Sequence, residues 1–457
     1  MSDMVIVLDS SNGDKVGEVP LTSWDEIDRW LEEMTKLHRD RDALPAYRRI
    51  EILKKTKIAI EARREEFALL IATEGGKPLK DARVETDRAI AGVELAIGEL
   101  LAERGEQIPM DLTESGAGRV AFTFREPIGP VVAVSAFNHP LNLIVHQVIP
   151  AVATGCPVIV KPAEDTPLCA RLLVELLHEA GLSKEWCRFA LCDIPVAEKM
   201  VTDPRVGFFS FIGSAKVGWM LRSKLAPGTR YALEHGGAAP VLIDRNAAFA
   251  DMIPALVKGG YYHSGQVCVS VQRVFVPRAT LDAFSEELAA HVEVLKVGDA
   301  KTEGTDCGPL IRTGEVDRVA DWVARSSGQV VTGGNRLSER FYAPTILREP
   351  GPDDDVSSNE IFGPVVCLYG YDDVADALAQ ANALPYAFQA AVFTDSMAFA
   401  RRAVLEFDAS AVMVNDHTAF RVDWMPFAGR RQSGYGTGGI GYTMRDLTQE
   451  KLAVMKF

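Results

Sequence analysis

Helical and strand patterns alternate along the chain. Within residues 87–106, Ile90, Val93 and Ile97 recur at helical spacing, which predicts an amphipathic helix with an acidic, solvated face. Four other runs are short, apolar and bounded by glycine, proline or charge, as strands buried on both faces are. These runs are residues 129–136, 156–160, 207–212 and 239–243, with helical segments at 167–180 and 215–225 between them.

This alternation predicts an α/β fold with doubly wound parallel sheets, and a second series of the same kind runs from residue 248 to about residue 412. The most apolar region, 141–160, is interrupted by polar residues and two prolines. It is therefore predicted to be a buried helix followed by a strand rather than a membrane span. Ligands of doubly wound sheets bind beyond the carboxyl ends of the strands, so candidate chemistry is expected there.

The composition is that of an ordinary globular protein. The 457 residues include 49 Lys and Arg against 63 Asp and Glu, which gives a formal charge of −14, and 47% of the residues are apolar. This length predicts about two to four packed units with ample core. An acidic chain without a block of Lys and Arg argues against a nucleic-acid or anionic-membrane partner.

The cysteines point to a reducing compartment. There are seven of them, without a CxxC pair or a histidine spacing typical of zinc sites, so we expect free thiols and no metal. The N-terminal segment has no basic start and only a five-residue apolar stretch, so no secretory signal is expected. We therefore predict a cytoplasmic protein that begins at this N-terminus.

Two glycine-rich segments compete for the role of a phosphate cradle. The segment Gly434-Tyr-Gly-Thr-Gly-Gly439 matches G-x-G-x-x-G, but it follows a basic polar stretch, so we interpret it as a flexible or interface loop. At the other segment a buried strand ends and Gly213-Ser214 opens a helix. The first turn of that helix offers unpaired N–H groups and a positive dipole end to a pyrophosphate, although ordinary helix capping uses the same residues.

Lys161 and Glu164 directly follow a predicted strand. At a strand end they are placed to bind ribose hydroxyls, and two solvated loop charges are an equally good interpretation of the residues alone.

Cys268 differs from the other six cysteines because small residues surround it in His263-Ser-Gly-Gln-Val-Cys268, ahead of an apolar run at 269–276. Most cysteines are buried and inert, which remains the alternative for this one. Two other residues favour a catalytic role for Cys268: Glu234 precedes paired glycines, and Asn138 follows an apolar strand.

These segments together resemble the NAD(P)-dependent aldehyde dehydrogenase superfamily, in its hydrolytic, acid-forming branch. Nine motifs in the family's order and at its spacings carry the resemblance over nearly the whole length. They are Glu74-Gly-Gly-Lys-Pro78, Asn138-His-Pro-Leu141, Lys161-Pro-Ala-Glu164, Phe211-Ile-Gly-Ser214, Glu234-His-Gly-Gly237, Gly265-Gln-Val-Cys268, Gly308-Pro-Leu-Ile311, Glu360-Ile-Phe-Gly-Pro364 and Pro426-Phe-Ala-Gly429.

The resemblance implies a catalytic role for three residues. An aldehyde has no leaving group, so a nucleophile must first make its carbon tetrahedral, and Cys268 as thiolate would do so. The Asn138 amide and the Cys268 N–H would hold the oxyanion, and Glu234 would activate the water that hydrolyses the resulting thioester. Intact Cys268, Glu234 and Asn138 argue against a non-catalytic protein that only keeps the fold.

The resemblance also implies a dinucleotide site. It places Lys161 and Glu164 on the adenosine ribose and Gly213 with Ser214 on the pyrophosphate. It places Phe137, Glu360 and Phe362 beside the nicotinamide ribose and ring. A carboxylate at Glu164 would repel a 2′-phosphate, so NAD is expected in preference to NADP.

The substrate is suggested by departures from the commoner family pattern. His139 and His146 stand where many relatives have aromatic residues, and the match puts both towards the substrate, although hydrogen bonding within the helix packing is the alternative. With Arg88 and Arg421 they suit an anionic tail. The motifs resemble those of phosphonoacetaldehyde dehydrogenases, while lactaldehyde, sulfoacetaldehyde, succinate semialdehyde or another small aldehyde is the alternative.

Other departures leave the reacting groups intact. Phe137 replaces a more usual Trp, and His235 and Ala238 replace a common Leu and Lys after Glu234. A charged His235 would shift the titration of Glu234.

The family architecture implies two doubly wound Rossmann-like domains and a small β arm. Residues 1–106 and 127–236 would bind the dinucleotide, residues 237–431 would form the catalytic domain, and residues 107–126 and 437–457 would form an oligomerisation arm. The tail 452–457 alternates as an edge strand does, which invites pairing across subunits in a homodimer or homotetramer. An ordinary terminal strand within one subunit is the alternative.

Overall fold

The computed structural model describes residues 4–40 and 44–457, which form alternating strands and helices. The strands are β1 (Met4–Leu8), β2 (Lys15–Pro20), β3 (Gln107–Ile108), β4 (Arg119–Pro127), β5 (Val131–Val134), β6 (Val158–Lys161), β7 (Cys187–Phe189), β8 (Phe208–Ile212), β9 (Arg230–Glu234), β10 (Ala239–Ile243), β11 (Val271–Pro277), β12 (Gln329–Thr332), β13 (Thr345–Arg348), β14 (Val365–Tyr371), β15 (Tyr386–Ala387), β16 (Gln389–Phe393), β17 (Ala411–Val414), β18 (Arg430–Arg431), β19 (Gly434–Tyr435) and β20 (Thr448–Lys456).

The helices connect and cover these strands. They are α1 (Trp24–Arg39), α2 (Ala46–Ala62), α3 (Arg64–Gly75), α4 (Leu79–Ala102), α5 (Asn142–Thr154), α6 (Leu168–Glu179), α7 (Ile194–Val201), α8 (Ala215–Arg222), α9 (Phe249–Tyr261), α10 (Leu281–Glu293), α11 (Thr313–Arg325), α12 (Asp355–Ser358), α13 (Val374–Asn382), α14 (Met397–Glu406) and α15 (Ile440–Asp446).

The first large sheet has the order β19-β9-β8-β5-β6-β7 and is parallel except for β19. Alternate residues of its strands enter different cores: Val131 packs with α2 to α6, whereas Val132 packs with α1 and α7. Strands covered by helices on both faces need apolar residues at every position, which explains the uninterrupted runs in the sequence. The prediction of strands buried on both faces is confirmed here.

The second large sheet has the order β12-β13-β14-β11-β10-β16-β17, and only β12 runs antiparallel to its neighbour. Two apolar cores lie on its faces, one against α9 and α10 and the other against α13 and α14. The α/β fold with two doubly wound sheets is therefore confirmed.

A separate three-stranded antiparallel sheet contains β20, which pairs with β4 along its whole length, and β3 on the other edge of β4. Apolar side chains on both long strands remain exposed, among them Phe122 at 40% and Leu452 at 52%. Helix α15 instead packs on α4 and α5, with Ile440 in their core. Only the last part of residues 437–457 therefore belongs to this arm sheet, and the domain boundaries stay a prediction.

One local interpretation from the sequence is wrong in part. The segment 434–439 is not a loop throughout, because Gly434 and Tyr435 form β19 against β9 and Gly439 precedes α15, while its place at an interface stays a prediction. The absence of a side chain at Gly434 permits this pairing, since a Cβ there would lie 2.3 Å from the Leu233 carbonyl oxygen. In the described part of the chain, no helix has the length and apolar character needed to cross a bilayer.

Candidate active site

A large cavity of about 1370 Å³ lies between the two sheets, at the carboxyl ends of β5, β6, β8 and β9. Its lining includes all the predicted catalytic and cofactor-binding residues. From the predicted substrate residues it includes His139, Arg88 and Arg421, but His146 lies outside it. The fold thus brings together residues that are up to about three hundred positions apart in the sequence.

Cys268 sits on a constrained turn that leads into β11. His263 and Ser264 in this turn have positive φ angles of 47° and 54°, a conformation that costs energy in residues with a side chain. A hydrogen bond of 2.7 Å from Ser264 to the Gly308 carbonyl oxygen helps to hold the turn. The other six cysteines are buried, whereas Cys268 is partly accessible.

The Cys268 thiol is protonated in the ligand-free chain. Burial raises its pKa to about 12, the Glu360 and Glu234 carboxylates add to that rise, and Arg421 opposes it. The thiolate that the sequence analysis expects as the attacking form must therefore be generated in the site. A base must take the proton when the sulfur attacks.

Glu234 ends β9 and lies between the main cavity and a small second one of about 20 Å³, which has room for about one water. Burial raises the pKa of its carboxyl, although Arg421 lowers it. Gly438 lies directly behind it: a Cβ at this position would be 2.1 Å from Glu234 Oε1. The glycine therefore makes room for the carboxylate, a role that the sequence analysis missed.

Asn138 is tied to the turn that carries Cys268. Its side-chain Nδ2 donates a hydrogen bond of 3.0 Å to the Gln266 carbonyl oxygen. The following residues are fixed as well, because Glu85 accepts hydrogen bonds of 3.0 and 3.1 Å from the Leu141 and Asn142 N–H groups. Lys77 forms a fully buried ion pair with Glu85. The sequence showed both charges, but not that they meet beneath this loop.

The predicted pyrophosphate site lies at the start of α8. Ser214 is the N-cap residue, yet its side chain makes no hydrogen bond to its own helix and is exposed. His235 supports the turn, since its Nδ1 lies 2.8 Å from the Gly213 carbonyl oxygen. A Cβ at Gly218 would meet the His235 ring at 2.0 Å, so this glycine admits the ring beneath the helix.

His235 does not act on Glu234 as a charged neighbour. Burial lowers the pKa of its imidazole, which therefore stays neutral and donates to Gly213. The ring packs edge-on against Phe211 and Trp219 at centroid distances of 5.7 and 5.8 Å. Its position explains why this chain tolerates His where the resemblance predicts Leu.

The other predicted cofactor residues also line the cavity. Lys161 is buried, and its Nζ lies 4.0 Å from the Glu164 carboxylate, which is about half exposed. Phe137 and Phe362 pack edge-on at 5.8 Å. Glu360 has a buried Oε1 without a hydrogen-bond partner, and burial raises the pKa of its carboxyl to about 8.

An unpaired buried carboxylate oxygen fits a ligand that brings hydroxyl donors, as a ribose does. The first-turn N–H groups of α8 that follow Ser214 have no partner within their own helix, so the residues present fit a dinucleotide. No group of three or more His, Cys, Asp or Glu side chains in the described ranges is placed to hold a metal ion.

The two histidines predicted to face the substrate lie in different places. His139 lines the cavity beside Tyr262, with ring centroids 6.1 Å apart, and burial keeps its pKa well below the usual value. His146 is buried behind the cavity wall, where Nε2 contacts Asp423 at 2.8 Å and Nδ1 lies 3.5 Å from Arg421. The expectation that both imidazoles face the substrate is therefore wrong for His146, which instead matches the alternative of hydrogen bonding within the packing.

Four arginines line the cavity, and they differ in whether a nearby carboxylate neutralises their charge. Three of them have a carboxylate within hydrogen-bond distance: Arg88 with Asp423 at 2.7 Å, Arg312 with Asp165 at 2.6 Å and Arg318 with Glu315 at 2.8 Å. In the chain as described, Arg421 has no such partner, and its Nε is buried without a hydrogen bond. The positive charge of Arg421 is therefore not neutralised by an adjacent carboxylate, and this side chain lines the same cavity as Cys268.

Comparison with known proteins identifies the family. The model of the aldehyde dehydrogenase family matches residues 2–453, which is almost the whole chain. The chain belongs to this family and is an oxidoreductase that acts on small aldehydes.

Similar proteins cover most of the chain. The 3-sulfolactaldehyde dehydrogenase of Priestia aryabhattai is 36% identical over 91% of this chain and 87% of its own length. The structure of a Physcomitrella patens aldehyde dehydrogenase with the reaction product succinate has a TM-score of 0.95 at 33% identity, covering 100% of this chain and 95% of that one. Glyceraldehyde-3-phosphate dehydrogenase of Methanocaldococcus jannaschii, solved with NADP, has a TM-score of 0.94 at 30% identity and covers 100% of both chains.

Proposed function

We propose that the protein oxidises a small anionic aldehyde to the carboxylic acid with NAD, through a thiohemiacetal and a thioester on Cys268. The observation that carries this proposal is the unpaired Arg421 guanidinium in the cavity that also holds Cys268, Glu234 and Asn138. A buried cation without a counterion is costly unless a ligand supplies the anion. An aldehyde with a negatively charged tail supplies one.

The first step joins the Cys268 sulfur to the carbonyl carbon. The thiol proton passes to water in the cavity as the C–S bond forms, so Glu234 is kept for the later hydrolysis. The oxyanion of the thiohemiacetal is held by the Asn138 amide and the Cys268 N–H. Removal of one such donor typically lowers the rate about 10²- to 10³-fold.

A bound nicotinamide supplies the hydride acceptor for this chemistry. Phe137, Glu360 and Phe362 would hold the nicotinamide in the cavity that also contains Cys268. The thioester then remains on Cys268. Glu234 takes a proton from a water that attacks the acyl carbon, and it passes that proton to the Cys268 sulfur as the C–S bond breaks and the acid is released.

NAD is the proposed cofactor because Glu164 presents a carboxylate beside Lys161 at the end of β6. This carboxylate accepts hydrogen bonds from ribose hydroxyls and repels a 2′-phosphate. The test compares kcat/KM for NAD and NADP in wild type and Glu164→Gln. We expect wild type to prefer NAD and the variant to lose much of that preference, and a wild-type preference for NADP contradicts the proposal.

A homodimer or homotetramer is proposed from the arm sheet. Val120, Phe122 and Phe124 of β4, with Met455 of β20, expose apolar area on one face of the sheet that a second copy of the chain would cover.

The function is tested by following NADH absorbance with matched aldehydes. Sulfoacetaldehyde, succinate semialdehyde and phosphonoacetaldehyde carry anionic tails, while lactaldehyde and hexanal do not. We expect kcat/KM to be highest for an anionic aldehyde. A higher value for lactaldehyde or hexanal contradicts anion recognition, and no turnover of any aldehyde contradicts the catalytic assignment.

A further inference from the structure

We propose that Asp423 is a specificity-determining residue that limits the tail site to one net positive charge, so that the enzyme selects singly charged tails such as carboxylate or sulfonate over dianionic phosphonate. This inference rests on the proposed function, because it concerns the tail of the same substrate. It also departs from the phosphonoacetaldehyde resemblance in the sequence.

Asp423 is the centre of a buried cluster. It is 3% exposed and accepts hydrogen bonds from Arg88 at 2.7 and 3.1 Å, from His146 at 2.8 Å and from Asn142 at 3.2 Å. Although burial opposes ionisation, the hydrogen bonds from His146 and Arg88 hold the pKa of this carboxyl well below its usual range. Asp423 is therefore a carboxylate throughout the working pH range, and its bidentate pairing cancels the charge of Arg88.

His146 positions Arg421 without adding charge. Burial lowers the pKa of its imidazole to about 4, so the ring is neutral near neutral pH. Because Nε2 donates to Asp423, Nδ1 carries a lone pair, and this lone pair faces Arg421 Nη2 at 3.5 Å. The Asp423 carboxylate thus fixes the tautomer that orients the free guanidinium.

The paired charges around Arg421 leave one positive charge for the substrate without an adjacent counterion. Lys77 and Glu85 cancel each other as a buried pair behind Arg88. Glu234 and Cys268 are the other titratable groups that act on Arg421, but in the described chain neither forms an ion pair or hydrogen bond with its guanidinium. A second negative charge on the tail would enter this buried region without a partner, which is unfavourable.

Two aldehydes whose tails have the same shape but different charge test this proposal. Sulfonate and phosphonate are both tetrahedral, but sulfonate stays singly charged, whereas the second ionisation of phosphonate falls near neutral pH. The experiment therefore measures kcat/KM for sulfoacetaldehyde and phosphonoacetaldehyde from about pH 6 to pH 8.5. We expect the ratio in favour of sulfoacetaldehyde to rise about tenfold over this range in wild type. A constant or falling ratio overturns the proposal.

Asp423→Asn provides the second arm of the test. Asn keeps the size of the side chain but releases the Arg88 charge, so kcat/KM for phosphonoacetaldehyde at pH 8.5 should rise relative to sulfoacetaldehyde, and the pH dependence of the ratio should flatten. A variant ratio identical to wild type overturns the role of Asp423. If Asp423→Asn does not fold, the wild-type pH series decides alone.

The matched control is Asp165→Asn, which breaks the Asp–Arg312 pair in another part of the same cavity. It should leave the substrate ratio at the wild-type value. Turnover of hexanal distinguishes a failure of the proposed function from a failure of the present inference. If hexanal is oxidised as efficiently as both anions, the proposed function fails, whereas if both anions exceed hexanal equally at every pH, only the present inference fails.

Discussion

The guanidinium carbon of Arg421 lies 3.6 Å from the centre of the Phe427 ring. The side chain is thus stacked on an aromatic face while His146 contacts one of its nitrogens at 3.5 Å. Stacking and this contact fix the plane of the guanidinium without neutralising it. This orientation leaves N–H donors for an anion in the cavity.

Arg421→Met should remove anion recognition and preserve apolar packing on Phe427. We expect KM for sulfoacetaldehyde to rise about 10- to 100-fold, because a hydrogen bond to a charged group contributes about 1.5 to 3 kcal/mol. KM for hexanal should change little. Arg421→Lys keeps the charge and should recover part of the loss. Equal losses of kcat/KM for the charged and the neutral aldehyde in Arg421→Met are inconsistent with this role.

Gly438→Ala should impair the step that needs Glu234. The new Cβ would lie 2.1 Å from Glu234 Oε1 and 3.1 Å from the Phe427 carbonyl oxygen, so the carboxylate must move. We expect steady-state turnover to fall at least about tenfold while a first burst of NADH persists. Gly98→Ala is a suitable control, because a Cβ there meets nothing within 4 Å. A fully active Gly438→Ala enzyme would show that the position of Glu234 does not matter.

The reactivity of the Cys268 thiol should rise with pH over the whole accessible range. Its pKa of about 12 is raised by burial and by Glu360, so the thiolate fraction grows about tenfold per pH unit below that value. Alkylation by iodoacetamide, measured from about pH 7 to pH 9.5 without cofactor, should show no plateau. Burial raises the pKa of Glu360 to about 8, so Glu360→Gln removes a negative charge above that pH and should speed alkylation there. A plateau near pH 7 in wild type would mean that the thiol rests as a thiolate.

Charges on the arm sheet should disrupt assembly. Phe122 of β4 and Met455 of β20 lie on the same face of the arm sheet and are 40% and 44% exposed. Lysine at both positions would place charge on the apolar face that a second copy covers, so light scattering should report monomers for this double variant and a dimer or tetramer for wild type. Lysine at Val330, which is similarly exposed at 44% on β12, is the control and should not change the mass. A monomeric wild type would contradict the proposed assembly.

The sequence predicted elements whose signal is local. The run 239–243 is strand β10 with the same bounds, and the apolar region 141–160 divides into α5 and β6 as expected. Cys268, Glu234 and Asn138 were found because each stands in a short motif. Glu234 and Asn138 come together because β9 and β5 are strands of one parallel sheet and end at the same edge, whereas Cys268 precedes β11 in the second sheet.

The charge balance of the substrate site was not predictable in the same way. Arg88 and Asp423 are 335 positions apart, and nothing in either segment indicates that they pair. His146 was expected in the tunnel because it lies seven residues after His139, but its contact with Asp423 turns it away from the cavity. The glycines of 434–439 resembled a nucleotide loop, whereas they provide space for β9 and Glu234. These outcomes depend on long-range packing that one sequence does not display.

The central claim is that Cys268 carries the substrate as a thioester until Glu234 activates water. It is tested most directly by mass spectrometry of Glu234→Gln after mixing with sulfoacetaldehyde and NAD. We predict one acyl group per chain, on the peptide that contains Cys268, formed together with one equivalent of NADH, and no adduct in Cys268→Ala. Full steady-state turnover by Cys268→Ala, or an acyl group on a different residue, would contradict the account.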